Sequence, residues 1–178
     1  MVCNEVKMAA QLAESLSLAC GIPHNTAKLI GKAVILHDIG KNFIPDFIRN
    51  KPGKLSHCEF EIMKTHTILG ARILSRLGGE FGLISKNIAQ FHHEYHNGKG
   101  YWLKSTNDLP SYVQIASICD VYCALVNTRV YKKAWPAREA LNYIRNRSGE
   151  QFCPTLVKVF IPLMEDRFGK ESTFSNLL

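Results

Sequence analysis

Residues 25–41 read NTAKLIGKAVILHDIGK, an amphipathic stretch that ends in a His37-Asp38 pair. Apolar residues recur three or four positions apart, which predicts a helix over 25–38, and Gly40 is typical of a helix end. Neighbouring helical residues point about 100° apart, so both side chains reach one metal only near a helix end or from two sides of a cluster. A carboxylate can bridge two cations, whereas an imidazole cannot. The pair is therefore a candidate metal site.

Further imidazoles and carboxylates stand at or near the ends of other apolar, helix-like segments. They are His66, His92, His93 and Asp120, with Lys41 close to the first pair. Such a series is typical of a divalent metal cluster whose ligands come from separate helices. The alternative is a set of unrelated surface histidines, and His24, His57 and His96 are read in that way.

The rest of the chain also has helical periodicity, and no stretch alternates as a strand would. We predict an all-α fold of about six to seven helices in one domain over residues 1–178. Ser56 and Glu59 form a capping box at the start of the third helix, and residues 40–55 form a loop with a short helical turn. The predicted helices are 5–20, 25–38 (capped by Asn25 or Thr26), 56–77, 83–95, 111–127, 137–147 and 154–168.

Composition narrows the possible partners. The net charge of +7 and a pI near 9.2 suit an anionic partner, either a phosphate-bearing small molecule or a nucleic acid. No basic run interleaved with aromatic residues favours nucleic acid. No apolar run approaches the roughly 20 residues of a membrane span, and the N-terminus does not resemble a signal peptide. We therefore expect a cytoplasmic protein, in which Cys119 and Cys123 are packing residues or, alternatively, soft metal ligands.

The motifs LHDIGK (36–41), NKPGKL (50–55), EIMKTH (61–66), FHHEYHNGKGYW (91–102) and ICDVYCALVNTRVYK (118–132) occur in this order. Taken together they resemble the HD-GYP branch of the HD metal-dependent phosphohydrolase superfamily, over roughly residues 5–160. The resemblance implies an HD-type helical domain with two or three divalent metal ions, iron or manganese. It also implies hydrolysis of a phosphodiester bond, usually in cyclic di-GMP.

The same resemblance assigns individual residues to the metal ions. The implied ligands are His37, Asp38 (as a bridge), His66, His92, His93 and Asp120. Glu5 stands where the family has a histidine in its first helix, so it is either a further ligand or a solvent-facing acid in a first helical turn.

The implied catalytic residues are Asp38 and Lys41, and the implied substrate-binding residues are Lys41, Tyr101, Arg129 and Lys132. Lys41 matches a lysine that contacts the scissile phosphate; otherwise it is a helix-end lysine favoured by the dipole. The two residues Arg129 and Lys132 fall where the family binds phosphate, or they are plain surface charges.

Two residues depart from the family pattern. Trp102 replaces the proline of the GYP motif and either stacks on a guanine or covers the edge of the core. Cys123 replaces an acidic residue near the site, which weakens the support of the ligands. In the family the 97–102 loop is also linked to contacts with signalling proteins.

The expected reaction is attack of a metal-bound hydroxide on the phosphorus of a cyclic dinucleotide, with cyclic di-GMP the leading candidate. Two alternatives stay open. One is a degenerate HD-GYP domain that senses a nucleotide or docks a protein partner. The other is an HD phosphohydrolase that acts on nucleoside monophosphates.

Overall fold

The computed structural model describes residues 4–103, 108–128 and 133–175, with side chains up to residue 167. Within these residues there are eight α-helices and no β-strand, which confirms the predicted all-α fold. The structure has one helix more than the seven that were predicted, because the helical turn inside residues 40–55 is a four-residue α-helix, α3. The helices are α1 (Asn4–Ala19), α2 (His24–Val34), α3 (Asp46–Arg49), α4 (His57–Leu74), α5 (Gly79–Phe91), α6 (Ser111–Val126), α7 (Ala137–Asn146) and α8 (Pro154–Ser175).

Helix α6 runs through the centre of the hydrophobic core. Its apolar residues point in all directions, as expected of a helix that neighbours surround. Tyr122 of α6 packs edge-to-face against Phe160 of α8, with ring centroids 5.5 Å apart. Cys119 and Cys123 are fully buried in this core, which supports their interpretation as packing residues. Asp120 is therefore held on a rigid, well-packed helix.

Helix α2 ends at Val34, so the prediction that it continues to residue 38 was wrong. Residues 35–38 form tight turns in which Leu36 N–H bonds to Ala33 O at 2.9 Å and His37 N–H to Val34 O at 3.3 Å. In both hydrogen bonds an N–H bonds to the carbonyl three positions earlier, as in a 3-10 helix, and a 3-10 helix follows at Ile39–Phe43. This tight turn brings Gly40 into contact with α4 and directs His37 and Asp38 toward the same helix.

The expected cap of α2 was also wrong. The helix begins at His24 directly after Pro23, and no side chain caps it. The Thr26 hydroxyl instead donates to Glu80 Oε1 at 3.2 Å. This contact joins the start of α2 to the start of α5.

The capping box of α4 is confirmed. Ser56 Oγ accepts from Glu59 N–H at 3.3 Å, and Ser56 N–H donates to Glu59 Oε2 at 2.7 Å. Lys51 Nζ lies 2.6 Å from the same carboxylate oxygen, and these hydrogen bonds lower the pKa of Glu59 to about 2. The NKPGKL segment is thereby fastened to the first turn of α4.

Helix α5 spans Gly79–Phe91 rather than 83–95. Gly78 and Gly79 have positive φ (66° and 58°), so the chain reverses there and the helix starts at once. The helix ends at Phe91, and in the turn that follows, Glu94 N–H bonds to Phe91 O at 2.9 Å.

No described helix combines the length and the apolar character that crossing a bilayer requires.

Candidate metal centre

Four separate elements bring six predicted ligands together. The turn after α2 supplies two, the middle of α4 one, the end of α5 two and the middle of α6 one. They are His37, Asp38, His66, His92, His93 and Asp120. The closeness of these side chains depends on the packing of helices that are distant in the sequence.

Asp38 lies at the centre of the cluster, with one carboxylate oxygen on each side. Its Oδ1 is 3.3 Å from His66 Nε2 and 3.7 Å from His92 Nε2. Its Oδ2 is 3.3 Å from His37 Nε2. Ligand atoms of Asp38, His66, His92 and His93 all lie within 4.8 Å of one another, a spacing that could hold a metal ion. A carboxylate with different imidazoles on its two oxygens has the arrangement of a bridging ligand.

Asp120 extends the cluster on the side of α6. Its Oδ1 lies 3.4 Å from His37 Nε2, so the imidazole stands between the carboxylates of Asp38 and Asp120. Burial disfavours the charged form of His37, but the two carboxylates outweigh it and raise the pKa of His37 well above its usual range. The same two carboxylates would stabilise any cation placed here.

Three of the histidines are oriented by their own helical turns. In each, Nδ1 lies at hydrogen-bond distance from a backbone carbonyl three or four residues earlier. The pairs are His37 with Val34 (2.6 Å), His66 with Met63 (2.7 Å) and His92 with Ile88 (3.0 Å). A carbonyl only accepts, so each Nδ1 carries a proton. Because its pKa is raised, His37 also carries a proton on Nε2 that a metal would displace, whereas the Nε2 atoms of His66 and His92 keep their lone pairs for the cluster. This is the arrangement that metal-binding histidines usually have.

Several atoms of the cluster have no hydrogen-bond partner although they are buried. They are Asp38 Oδ1, His66 Nε2 and His92 Nε2. A buried polar atom without a partner costs roughly 1–3 kcal/mol. A divalent cation bound among them would satisfy all three, so these residues fit the metal that the HD-type motifs imply.

The histidines from α5 are poor bases in the metal-free protein. Burial, followed by the neighbouring charge of His93, lowers the pKa of His92 well below its usual range. Burial also lowers the pKa of His93 to about 4. Both imidazoles are therefore neutral near pH 7, which is the form that binds a metal.

Lys41 reaches the centre from the 3-10 helix. Its Nζ forms a salt bridge with Asp38 Oδ2, on the side of the carboxylate that faces His37. Both charged residues, with His93 and Asp120, line an open cleft of about 260 Å³. The Lys41 side chain is 37% exposed, and its ammonium group is placed to contact an anion that enters this cleft.

The 97–102 loop adds a phenol beside the histidines. The Tyr101 ring lies 4.4 Å from the His93 ring, and burial followed by the charge of Asp38 raises the pKa of Tyr101 to about 12. This hydroxyl therefore stays protonated near neutral pH. Gly100 is required here because a Cβ would come within 2.5 Å of Glu94 Cα.

Trp102 uses groups that a proline would lack. Its backbone N–H donates to Glu94 Oε1 at 2.8 Å, and its indole N–H donates to Thr67 Oγ1 at 3.0 Å. The ring therefore fastens the loop to α4, which supports the interpretation that it covers the edge of the core. Sequence reasoning gave no role to Glu94, which is 1% exposed. The sequence signal that could have pointed to Glu94 is its position directly after His92 and His93.

Three more of the predicted site residues come from other parts of the chain, one from α1 and two from the 129–132 segment. Glu5, in the first turn of α1, is partly buried and close enough to Cys123 to affect its thiol, whose pKa rises to about 12 mainly through burial. The ligation of a metal by Glu5 stays a prediction. Arg129 and Lys132 fall outside the described residues.

Comparisons with known proteins agree with this geometry. The model of the HD domain family matches residues 2–156. A cyclic di-GMP phosphodiesterase of Thermotoga maritima is 42% identical over 136 residues, which are 75% of this chain and 37% of that protein. A 3′3′-cGAMP-specific phosphodiesterase of Vibrio cholerae is 36% identical over 157 residues, 88% of this chain and 30% of that protein. The chain thus spans about a third of the length of these relatives.

The fold is also found in a solved structure. An HDG"Y"P protein of Bdellovibrio bacteriovorus superposes with a TM-score of 0.72 at 18% identity, covering 93% of this chain and 53% of the other. At this identity the likeness concerns the fold alone. The family model covers most of the chain, and the helical fold and the His/Asp cluster agree with it. The chain therefore belongs to the HD domain family, and its resemblance to the HD-GYP branch is confirmed.

Proposed function

We propose that this chain is a metal-dependent phosphodiesterase that hydrolyses a cyclic dinucleotide, with cyclic di-GMP the first candidate. The observation that carries the proposal is the buried cluster in which Asp38 Oδ1, His66 Nε2 and His92 Nε2 converge without hydrogen-bond partners. The names of the Thermotoga and Vibrio relatives support a cyclic dinucleotide as the substrate class. A cytoplasmic location is part of the same proposal.

The proposed cofactor is a pair or trio of divalent ions, iron or manganese. Imidazole and carboxylate ligands suit both metals. His66, His92 and His93 would hold one ion with Asp38, and Asp38 would share a second with His37 and Asp120. Glu5 is proposed as a further ligand from the α1 side. When bound, such ions activate water and neutralise the charge that develops on a phosphoryl group.

The remaining roles belong to side chains that line the cleft. Lys41 balances Asp38 in the absence of substrate and would contact a phosphoryl oxygen when the nucleotide enters. The Tyr101 hydroxyl, protonated near neutral pH, can donate a hydrogen bond to the same group. Arg129 and Lys132 are proposed as further phosphate-binding residues. The net charge of +7 favours an anionic substrate.

The test is metal analysis of anaerobically purified protein together with chromatography of cyclic di-GMP and 3′3′-cGAMP after incubation. We expect bound iron or manganese and release of a linear dinucleotide or of mononucleotides. Asp38→Asn should lose both metal and turnover. His57→Gln, which changes an exposed histidine at the start of α4, should keep both. Metal-loaded protein without turnover of any cyclic dinucleotide would contradict the proposal.

A second candidate function is that of a sensing or docking module. Trp102 fastens the 97–102 loop to α4, and the adjacent Leu103 is 77% exposed with a positive φ of 57°. An apolar side chain held outward in this way suits contact with a signalling protein. Nucleotide binding without turnover and with little metal would favour this function. A 5′-nucleotide that outcompetes cyclic di-GMP would favour a phosphomonoesterase instead.

A further inference from the structure

A second cleft lies away from the metal centre, where the end of α1 and the starts of α6 and α8 meet. It has a volume of about 390 Å³ and is lined largely by apolar side chains. Two of its lining residues are cysteines, Cys20 and Cys153, which come from opposite ends of the chain. Both are free thiols, and neither is fully buried. The phosphodiesterase proposal gives this cleft no role.

Cys153 stands at the start of a long helix. Pro154 is the first residue of α8, and the Cys153 carbonyl accepts the N–H of Val157 at 3.0 Å. Its Sγ lies 2.9 Å from the Thr155 hydroxyl. Burial alone would raise the pKa of Cys153, but hydrogen bonds from Thr155 and from the backbone N–H of Leu156 lower it overall. A thiolate is the reactive form of cysteine, and a helix N-terminus stabilises it.

Cys20 provides a second sulfur in the same cleft. It follows the last residue of α1, and its side chain is exposed. Burial of part of the thiol, and then the charge of Cys153, raise the pKa of Cys20. The two sulfurs therefore differ: the pKa of Cys153 is lowered and that of Cys20 is raised, so Cys153 is the more readily ionised thiol.

The other described cysteines lack this arrangement. Cys119 and Cys123 are fully buried in the core, where no oxidant reaches them. Cys58 is exposed near the start of α4 and lines none of the described clefts. It therefore serves as an internal comparison for the pair.

We propose that Cys153 and Cys20 form a thiol modification site, at which a hydroperoxide oxidises Cys153 and Cys20 then closes a disulfide. In the first step the Cys153 thiolate attacks one peroxide oxygen and the O–O bond breaks. Cys153 becomes a sulfenic acid, and the other oxygen leaves as hydroxide, which takes a proton to form water. The sulfur loses two electrons and the peroxide gains them.

In the second step the Cys20 sulfur attacks the sulfenic sulfur. The S–S bond forms and the S–O bond breaks, and the hydroxyl group leaves as water with the proton of Cys20. In total two thiols and one hydrogen peroxide give one disulfide and two waters. The disulfide joins the end of α1 to the start of α8, and a dithiol reductant reverses it.

The experiment uses protein loaded with Mn²⁺, so that iron does not produce radicals from peroxide. After treatment with hydrogen peroxide and before alkylation, we expect an intact mass lower by two hydrogen atoms. After alkylation of the remaining thiols and digestion, we expect a peptide that links Cys20 to Cys153. Dithiothreitol should restore the original mass. Cys20→Ser should stop at the sulfenic acid, which dimedone traps on Cys153. Cys58→Ser should behave as the unchanged protein.

A measurement without any variant keeps the proposal testable if a substitution disturbs folding. In the reduced protein, iodoacetamide should alkylate Cys153 about three to ten times faster than Cys58 at neutral pH. Equal rates, or peroxide treatment that gives no linked peptide, would overturn the proposal. So would a dimedone adduct on Cys20 in Cys153→Ser. These readouts do not depend on turnover of a nucleotide.

Discussion

Gly40 lies directly against the backbone of His66: a Cβ built on Gly40 would stand 1.9 Å from the His66 carbonyl oxygen. This contact joins the turn that carries Asp38 to the helix that carries His66. Since no atom fits between the two backbones, the distance between the ligands depends on a residue that has no side chain.

Gly40→Ala should therefore separate the turn from α4. We expect a loss of about 1–3 kcal/mol in the free energy of unfolding and a marked loss of bound metal. Chemical denaturation and metal analysis measure the two effects. Gly70→Ala is the matched control, because its Cβ would meet its nearest neighbour at 3.4 Å. Full metal content in Gly40→Ala would show that this contact does not set the geometry of the site.

The buried histidines predict how the stability of the metal-free protein depends on pH. The pKa of His93 is about 4 in the fold, compared with about 6.5 in an unfolded chain. Between these values the unfolded chain binds more protons, so stability should fall as the pH drops from 6.5 toward 4. His92 acts in the same direction because its pKa is also lowered. We expect a loss of roughly 1 kcal/mol per pH unit for each of the two histidines.

His37 should make the stability of the metal-free protein fall as the pH rises above neutral, which is the opposite trend. Its pKa is raised in the fold, so its contribution is present below about 6.5 and is lost as the pH rises through the folded value. Urea unfolding in the presence of a chelator should therefore give a maximum of stability near neutral pH. His93→Gln should make the acidic side less steep and leave the alkaline side unchanged, with the contribution of His92 remaining. A profile that is flat from pH 4 to 7 would contradict this assignment of charge.

Trp102 can be tested by removing its two hydrogen bonds separately. Trp102→Phe keeps the backbone N–H that reaches Glu94 but loses the indole bond to Thr67, which should cost about 1 kcal/mol. Trp102→Pro loses both bonds and leaves a buried carboxylate with one partner fewer, so it should cost more. Thermal unfolding ranks the two variants. Equal unfolding temperatures would show that the bond to Glu94 contributes little.

Lys41 should matter for turnover and not for metal binding. Lys41→Met removes the charge beside Asp38 and should lower kcat for cyclic di-GMP about a hundredfold while metal content stays the same. Lys41→Arg should recover part of the rate, and Lys99→Met changes an exposed lysine as a control. A variant with an unchanged kcat would leave Lys41 as an ordinary partner of the carboxylate.

Residues with a local signal were predicted well from the sequence. Ser56 and Glu59 satisfy each other within one helical turn, so the pattern alone defines the start of α4. The series from His37 to Asp120 was placed in one cluster because those residue types recur at the ends of apolar segments. Their roles as ligands remain predictions that the metal analysis tests.

Features that depend on contacts between distant segments escaped prediction. The early end of α2 follows from the packing of Gly40 on α4, which no local pattern shows. The partnership of Glu94 with Trp102 arises from a loop that folds back, and the shared cleft of Cys20 and Cys153 joins the two ends of the chain. Hydrophobic periodicity describes one segment at a time, whereas each of these features is a contact between two segments that are distant in the sequence.

The hydrogen bonds from Nδ1 of His37, His66 and His92 have a consequence for the exchange of metals. Each ring is oriented by a carbonyl of its own helical turn, so its direction belongs to the backbone and survives when the ion leaves. Replacing one ion by another should then require no refolding, unlike in small zinc domains whose fold depends on the metal. The ion that occupies the centre would follow cellular supply and intrinsic affinity, and the same polypeptide would change its chemistry with the metal status of its cell.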